Sequence, residues 1–404
     1  MGAKMADTGY DFDTIIDRHN TNAVKIDLAH LFGKPEDALP LWVADMDFPT
    51  APEILDALHE KVNHGIFGYS SCDRAFFEAV KHWQKTEHAF DIERRHIVTT
   101  PGVVFALSCA IKAFSAEGES VIIQPPVYYP FKNMIEANNR KVVTSPLFER
   151  DGKWQMDFSD FEQKIIDNDV KLCILCSPHN PVGRVWTKDE LQHLADICLR
   201  HHVIVFSDEI HNDFIIPPHT HTVFATLSEE VADSCIVSTS ASKTFNLAGL
   251  QFSINFIKNP ALRKRFHDER DKTGYDEPSL MGLIATKAAY EYGKPWLDAL
   301  KQYLSENVAY VRRFLTERLP NVRLVEPEGT YLVWLDFSKL GLSDDELDNF
   351  IVHRAKLWLD RGVMFGQEGE QYQRINIATP RPLLREALER LEKAVNGLQT
   401  LSFS

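Results

Sequence analysis

Strand-sized apolar runs alternate with helix-length amphipathic stretches along most of these 404 residues. The runs at 120–124, 171–176, 203–207, 234–238 and 252–257 are short and mostly apolar, with 172–176 and 203–206 unbroken, as expected of strands buried on both faces. Between two of them, 187–200 reads as a helix. Thr187 is its N-cap, Glu190 completes a capping box, and Leu191, Leu194, Ile197 and Cys198 recur at helical spacing. Residues 160–167 read as another helix. Such alternation predicts an α/β fold with a mostly parallel central sheet.

The last third reads differently. A long helical pattern over 280–319 is interrupted at Gly293-Lys294-Pro295. Strand runs at 322–325 and 330–336, a helix from Ser343, a strand around 373–378 and a helix over 382–395 predict a smaller α+β domain. The expected division is 49–290 as the large domain and 291–404 as the small one, with 1–48 joining the small domain.

Charge and cysteine content narrow the function classes. With 44 basic and 58 acidic residues the net charge is −14, which argues against a nucleic-acid footprint or an anionic membrane surface. No run approaches the ~18 apolar residues of a spanning helix. Six cysteines are too few for a disulfide framework, and residues 1–20 lack an apolar signal core, so a cytoplasmic location is expected. Cys173-Ile174-Leu175-Cys176 is a C-x-x-C inside a strand-like run. Residues three apart there face opposite sides, which favours core packing over a zinc site. Asp208, His211 and Asp213 form no recognised metal motif, so no metal is expected.

Chemistry concentrates where apolar runs end. Lys243 follows the run at 234–238 and lies among the hydroxyls of Ser238, Thr239, Ser240 and Ser242. A lysine there is either a surface residue of a serine-rich loop or an amine made nucleophilic by desolvation. Asp208 follows the run at 203–206, and Ser177-Pro178-His179-Asn180 follows the run at 172–176. Open α/β sheets place ligands at such strand ends. Gly102 precedes a helical stretch starting at Val103 and Val104, whose free N–H groups form an anion site.

Taken together, these segments resemble the fold type I pyridoxal-phosphate enzymes of the aminotransferase class I/II superfamily. They are more similar still to its bacterial C–S lyase branch, which contains the cystathionine β-lyases. The resemblance covers nearly the whole chain. It rests on Trp42-Val43-Ala44-Asp45-Met46-Asp47-Phe48, Phe67-Gly68-Tyr69-Ser70, Ser177 through Gly183, Ser207-Asp208-Glu209-Ile210-His211, and Ser242-Lys243-Thr244-Phe245-Asn246-Leu247-Ala248-Gly249.

This resemblance implies pyridoxal 5′-phosphate as cofactor and a homodimer with shared active sites. Lys243 would carry the cofactor covalently and then act as base. Asp208 would pair with its ring nitrogen, Asn180 would bond its ring oxygen, and Tyr128 rather than Tyr129 would stack on the ring. Gly102, Val103, Val104, Ser240 and Ser242 would hold the phosphate. Tyr69 would reach the phosphate and the reacting substrate from a partner subunit, and Arg374 would clamp the substrate carboxylate. Two positions depart from the broad superfamily. Gln251 stands where most members have a phosphate-binding arginine, and His211 where a tyrosine is common; His211 would support Asp208 or the ring oxygen, or be structural. The implied reaction is β-elimination of a thiol from L-cystathionine or a cysteine S-conjugate, leaving pyruvate and ammonia. Transamination, and a second role in restraining a transcription regulator, are the alternatives.

Overall fold

The computed structural model describes residues 9–401. Residues 1–8 of the expected N-terminal segment and 402–404 of the expected C-terminal domain lie outside the described residues. Strands β1 (Ile97–Thr100), β2 (Ser120–Ile123), β3 (Lys141–Thr144), β4 (Val170–Cys176), β5 (Ile204–Asp208), β6 (Cys235–Thr239) and β7 (Ser253–Phe256) form one sheet in the order β1-β7-β6-β5-β4-β2-β3. From β6 to β3 every pairing is parallel, while β7 runs antiparallel to β6 and β1.

The central strands β4 and β5 read as near-continuous apolar runs because both sheet faces are covered. Val121, Ile123, Ile174, Phe206 and Ile236 pack on one face, against the helix Val103–Phe114. Ile122, Cys173, Leu175, Val205 and Val237 pack on the other, against the helix Lys188–Arg200. Each large apolar side chain buried this way contributes about 1.5–3 kcal/mol relative to exposure. Cys173 and Cys176 point to opposite faces, as alternation along a strand requires. Thr187 caps its helix, accepting from the Glu190 N–H while the Glu190 carboxylate accepts from the Thr187 N–H.

The long C-terminal helical pattern is two helices, Leu280–Tyr292 and Lys294–Arg318. Gly293 joins them where a Cβ would lie 2.4 Å from the Phe245 ring and 2.7 Å from the Ala289 carbonyl oxygen, so the break is fixed by close approach as well as by Pro295. A second sheet follows, from β8 (Arg323–Val325), β9 (Leu332–Asp336), β10 (Asp360–Arg361) and β11 (Tyr372–Asn376), in the order β8-β9-β11-β10 and wholly antiparallel. Leu39–Pro40 pairs with Leu357–Trp358, and the rings of Trp42 and Trp358 stack at 4.4 Å. The Leu39–Pro40 pairing is a separate two-stranded sheet; the N-terminal segment meets the small four-stranded sheet where the Asn376 N–H donates to the Leu41 carbonyl at 2.8 Å, and meets Lys243 through the Ala44 carbonyl. Among the described residues no helix is long and apolar enough to cross a membrane.

Candidate active site

The C-terminal ends of β4, β5 and β6 lie side by side, with Cys176 opposite Asp208 and Asp208 opposite Ser238. A cavity of about 200 Å³ opens above them. Asp208, Asn180, Lys243 and His211 face into it, with Tyr128 and Cys176 beside them. Gly102, Val103, Val104, Ser242 and Gln251 close its other end.

Asp208 is buried at the end of its strand, where its Oδ1 accepts from the Ile210 N–H at 3.1 Å. Burial raises its pKa to about 7, against the opposing pull of that N–H and of the Lys243 amine. Lys243 lies in the one-turn helix Ala241–Thr244, capped by Ser240. Desolvation brings its amine down to about 8; Arg374 pushes the same way, and the carboxylates of Asp45 and Asp208 oppose. Its Nζ donates to the Ala44 carbonyl at 2.7 Å. His211 is pushed down to about 3, first by burial and then by Lys243 and Arg374, so the ring is neutral; its Nδ1 is buried with no partner among the described residues.

Ala44 belongs to a segment held from several directions. Its carbonyl also accepts from the Tyr331 hydroxyl at 3.0 Å. Asn376 Nδ2 donates to the Val43 and Asp45 carbonyls, and Asn246 bonds the Met46 N–H and the Met46 and Phe48 carbonyls. Lys25, fully buried, pairs with Asp47 at 2.8 Å, while Arg18 bridges Asp45 and Asp47. Sequence reasoning quoted Trp42 through Phe48 as a motif but missed the carbonyl contacts, which involve backbone atoms that residue type does not reveal. It also missed Cys176 as part of the pocket wall.

Arg374 sits on β11, with Trp334 and Asp360 as its cross-strand neighbours. Its guanidinium is 3% exposed and lies 4.9 Å over the Phe365 ring. Nη1 donates to Asn180 Oδ1 at 3.0 Å, and Nη2 donates to the Trp42 carbonyl at 2.8 Å and to Asp360 Oδ2. Asp360 was missed as well: a lone aspartate beside Arg361 carries no sequence signal of its cross-strand pairing.

Three expected residues are not part of the cavity wall: Arg374, which meets it through Asn180, and Ser240 and Tyr69. Ser240 is buried behind it, where its Oγ donates to the Phe252 carbonyl at 2.5 Å and accepts from the Ser242 N–H at 3.0 Å; the start of the Lys243 helix uses this hydroxyl as its cap. Tyr69 lies in an irregular segment and is 96% exposed, so one chain alone does not bring it to the pocket. Tyr128 lines the cavity, whereas Tyr129 turns toward Phe365. Among the described residues no group of three His, Cys, Asp or Glu side chains is arranged to hold a metal.

Comparison with known proteins agrees with this geometry. The family described as "Aminotransferase class I and II" matches residues 36–391. The chain is 42% identical over 387 residues to cystathionine beta-lyase PatB of Bacillus subtilis, covering 96% of this chain and 100% of that protein. It is 36% identical over 392 residues to protein MalY of Escherichia coli, covering 96% and 98%. Among solved structures, cystalysin from Treponema denticola, which contains pyridoxal 5′-phosphate, superposes with a TM-score of 0.93 at 39% identity, covering 96% of this chain and 99% of that one. The chain belongs to the aminotransferase class I and II family, in its branch of cystathionine β-lyases and C–S lyases.

Proposed function

We propose that this protein is a pyridoxal-phosphate-dependent carbon–sulfur β-lyase, cleaving L-cystathionine or cysteine S-conjugates to a thiol, pyruvate and ammonia. The observation that carries the reading is the pairing, in one cavity, of a desolvated lysine amine with a buried carboxylate at a strand end. Full-length similarity to PatB supports the choice of reaction.

The donor set suits the cofactor. Asp208 is a buried carboxylate whose pKa burial raises to about 7, and a protonated ring nitrogen beside it would supply a counter-charge. The Asn180 Oδ1 is taken by Arg374, leaving its amide N–H₂ to donate to a ring oxygen. A Cβ at Gly102 would meet nothing within 4 Å, so the start of the helix Val103–Phe114 presents its N–H groups to open space suited to a phosphate. Ser242 and Gln251 border the same end. When bound, the cofactor supplies an electron sink for the pair left at the substrate Cα.

The protein's own groups do the rest. Arg374, held by Asp360, Asn180 and the Trp42 carbonyl, orients the substrate through its α-carboxylate. Lys243 Nζ, its pKa brought down to about 8 by burial, takes the Cα proton. The C–S bond then breaks, its electron pair leaves with sulfur as thiolate, and the three-carbon enamine hydrolyses to pyruvate and ammonia. Neutral His211 adds no second cation beside Asp208.

The active unit is a homodimer in this reading. Tyr69 is exposed next to Ile66 and Phe67, which are 65% and 60% exposed, and the helix Pro52–His64 adds exposed Leu55 and Val62. A second copy covering this apolar face would bring Tyr69 to the phosphate end of its neighbour's cavity. The three-part division at 48/49 and 290/291 is likewise our reading, supported by the separate sheets and by the pairing of Leu39–Pro40 with Leu357–Trp358. The test of function is pyruvate release from L-cystathionine without any keto acid. Product that appears only when 2-oxoglutarate is supplied would make the protein an aminotransferase instead.

A further inference from the structure

Behind the cavity lies a buried chain of polar groups that neither holds cofactor nor meets substrate. Thr244, fully buried and next to Lys243, donates its Oγ1 hydrogen to Asp213 Oδ2 at 2.6 Å. The other Asp213 oxygen bonds His88 Nε2 at 3.0 Å. The side chains of His88 and Asp213 are only 5% and 6% exposed. Burial pushes the Asp213 carboxyl up, but His88, Thr244 and the charge of Lys301 outweigh it and hold the carboxyl below its ordinary range.

The placement is what gives this chain of bonds a consequence. Asp213 is in the loop that follows Asp208, and Thr244 ends the one-turn helix that carries Lys243. A single helical turn is marginal alone, since it fixes several backbone dihedrals for few hydrogen bonds. This one is secured at its start by the Ser240 cap and at its end by Asp213. The Thr244–Asp213 bond therefore ties the element carrying the amine to the loop that directly follows the strand carrying Asp208. His88, the last residue of the helix Arg74–His88, keeps Asp213 turned toward Thr244.

We propose that Asp213 and Thr244 are positioning residues, with His88 as their support, and that they set the location and proton affinity of Lys243 relative to Asp208. This rests on the lyase reading above for its chemical meaning and for the kcat readout, but not for the absorbance midpoint. Thr244→Val keeps the shape and removes the hydroxyl. In the purified holoenzyme it should move the pH midpoint of the cofactor absorbance by at least about half a unit. It should also lower kcat for pyruvate release about 100-fold while changing KM less than about threefold. Thr244→Ser, which restores the donor, should return the midpoint to the wild-type value and kcat to within about threefold of it. If Thr244→Val does not fold, Asp213→Asn gives the same readout, with a smaller shift in the same direction. A valine variant with the wild-type midpoint and kcat would overturn the proposal. So would a serine variant as impaired as the valine. A wild type that has a normal midpoint but releases no pyruvate would instead overturn the lyase reading and leave the midpoint to decide the positioning claim.

Discussion

Lys243 and Asp208 share one cavity with proton affinities driven toward each other, the amine down to about 8 and the carboxyl up to about 7. Both shifts have burial as their first cause, and the attraction between the two groups only partly offsets it. A cation placed at the proposed ring-nitrogen position would relieve Asp208, and a covalent bond at Lys243 would remove the cost of a buried ammonium.

A linkage prediction follows for cofactor-free protein. The folded pKa of Asp208 lies above its ordinary 3.8, so the folded state keeps this proton between about 4 and 7 while the unfolded chain loses it. Asp208 therefore favours folding less as pH rises through that window. Thermal melts of cofactor-free Asp208→Asn against wild type should show the variant gaining relative stability from pH 4 to pH 7. Saturating pyridoxal phosphate should reverse the order at pH 7. An unchanged difference across the window would contradict the assigned pKa.

The Arg374–Asp360 pair predicts that activity and stability separate. On the proposed role of Arg374 as clamp of the substrate carboxylate, Arg374→Ala should raise KM by roughly 10- to 150-fold, equivalent to about 1.5–3 kcal/mol. It also leaves Asp360 buried and unpaired, which should cost about 3–5 kcal/mol in denaturant unfolding. The double variant Arg374→Ala with Asp360→Asn should recover most of that stability and none of the KM. Equal losses in single and double variants would show that Asp360 is not the counter-ion in solution.

Active-site sharing is open to a complementation test. Tyr69→Ala and Lys243→Ala subunits, each impaired alone, should regain pyruvate release when unfolded together and refolded as mixed dimers. If Tyr69 acts across the interface, one site of each mixed dimer has both groups intact. No recovery in demonstrably mixed dimers would place Tyr69 outside the partner's site.

Much of the fold is legible because the large sheet is covered on both faces, which leaves apolar runs such as 171–176 and 203–207 close to the observed Val170–Cys176 and Ile204–Asp208. Thr187 with Glu190, and Ser343 with Glu346, mark helix starts through reciprocal caps. Lys243, Asp208 and Asn180 are conspicuous because polar residues at the ends of apolar strands need a reason. The contacts of Ala44 are not legible: they join a carbonyl to Lys243 and Tyr331, residues 199 and 287 positions away. Nor is the state of Ser240, whose hydroxyl type fits both a phosphate and a helix start. Nor is the exposure of Tyr69, since residue type alone does not tell an exposed tyrosine from a buried one.

The most direct measurement is borohydride reduction of protein saturated with pyridoxal phosphate, followed by peptide mass mapping. The expected result is one pyridoxyl-modified peptide, containing Lys243, which disappears in Lys243→Ala along with the yellow colour and at least about a hundredfold of the lyase activity. An adduct on a different lysine, or an unmodified Lys243 peptide from saturated and active protein, would contradict it.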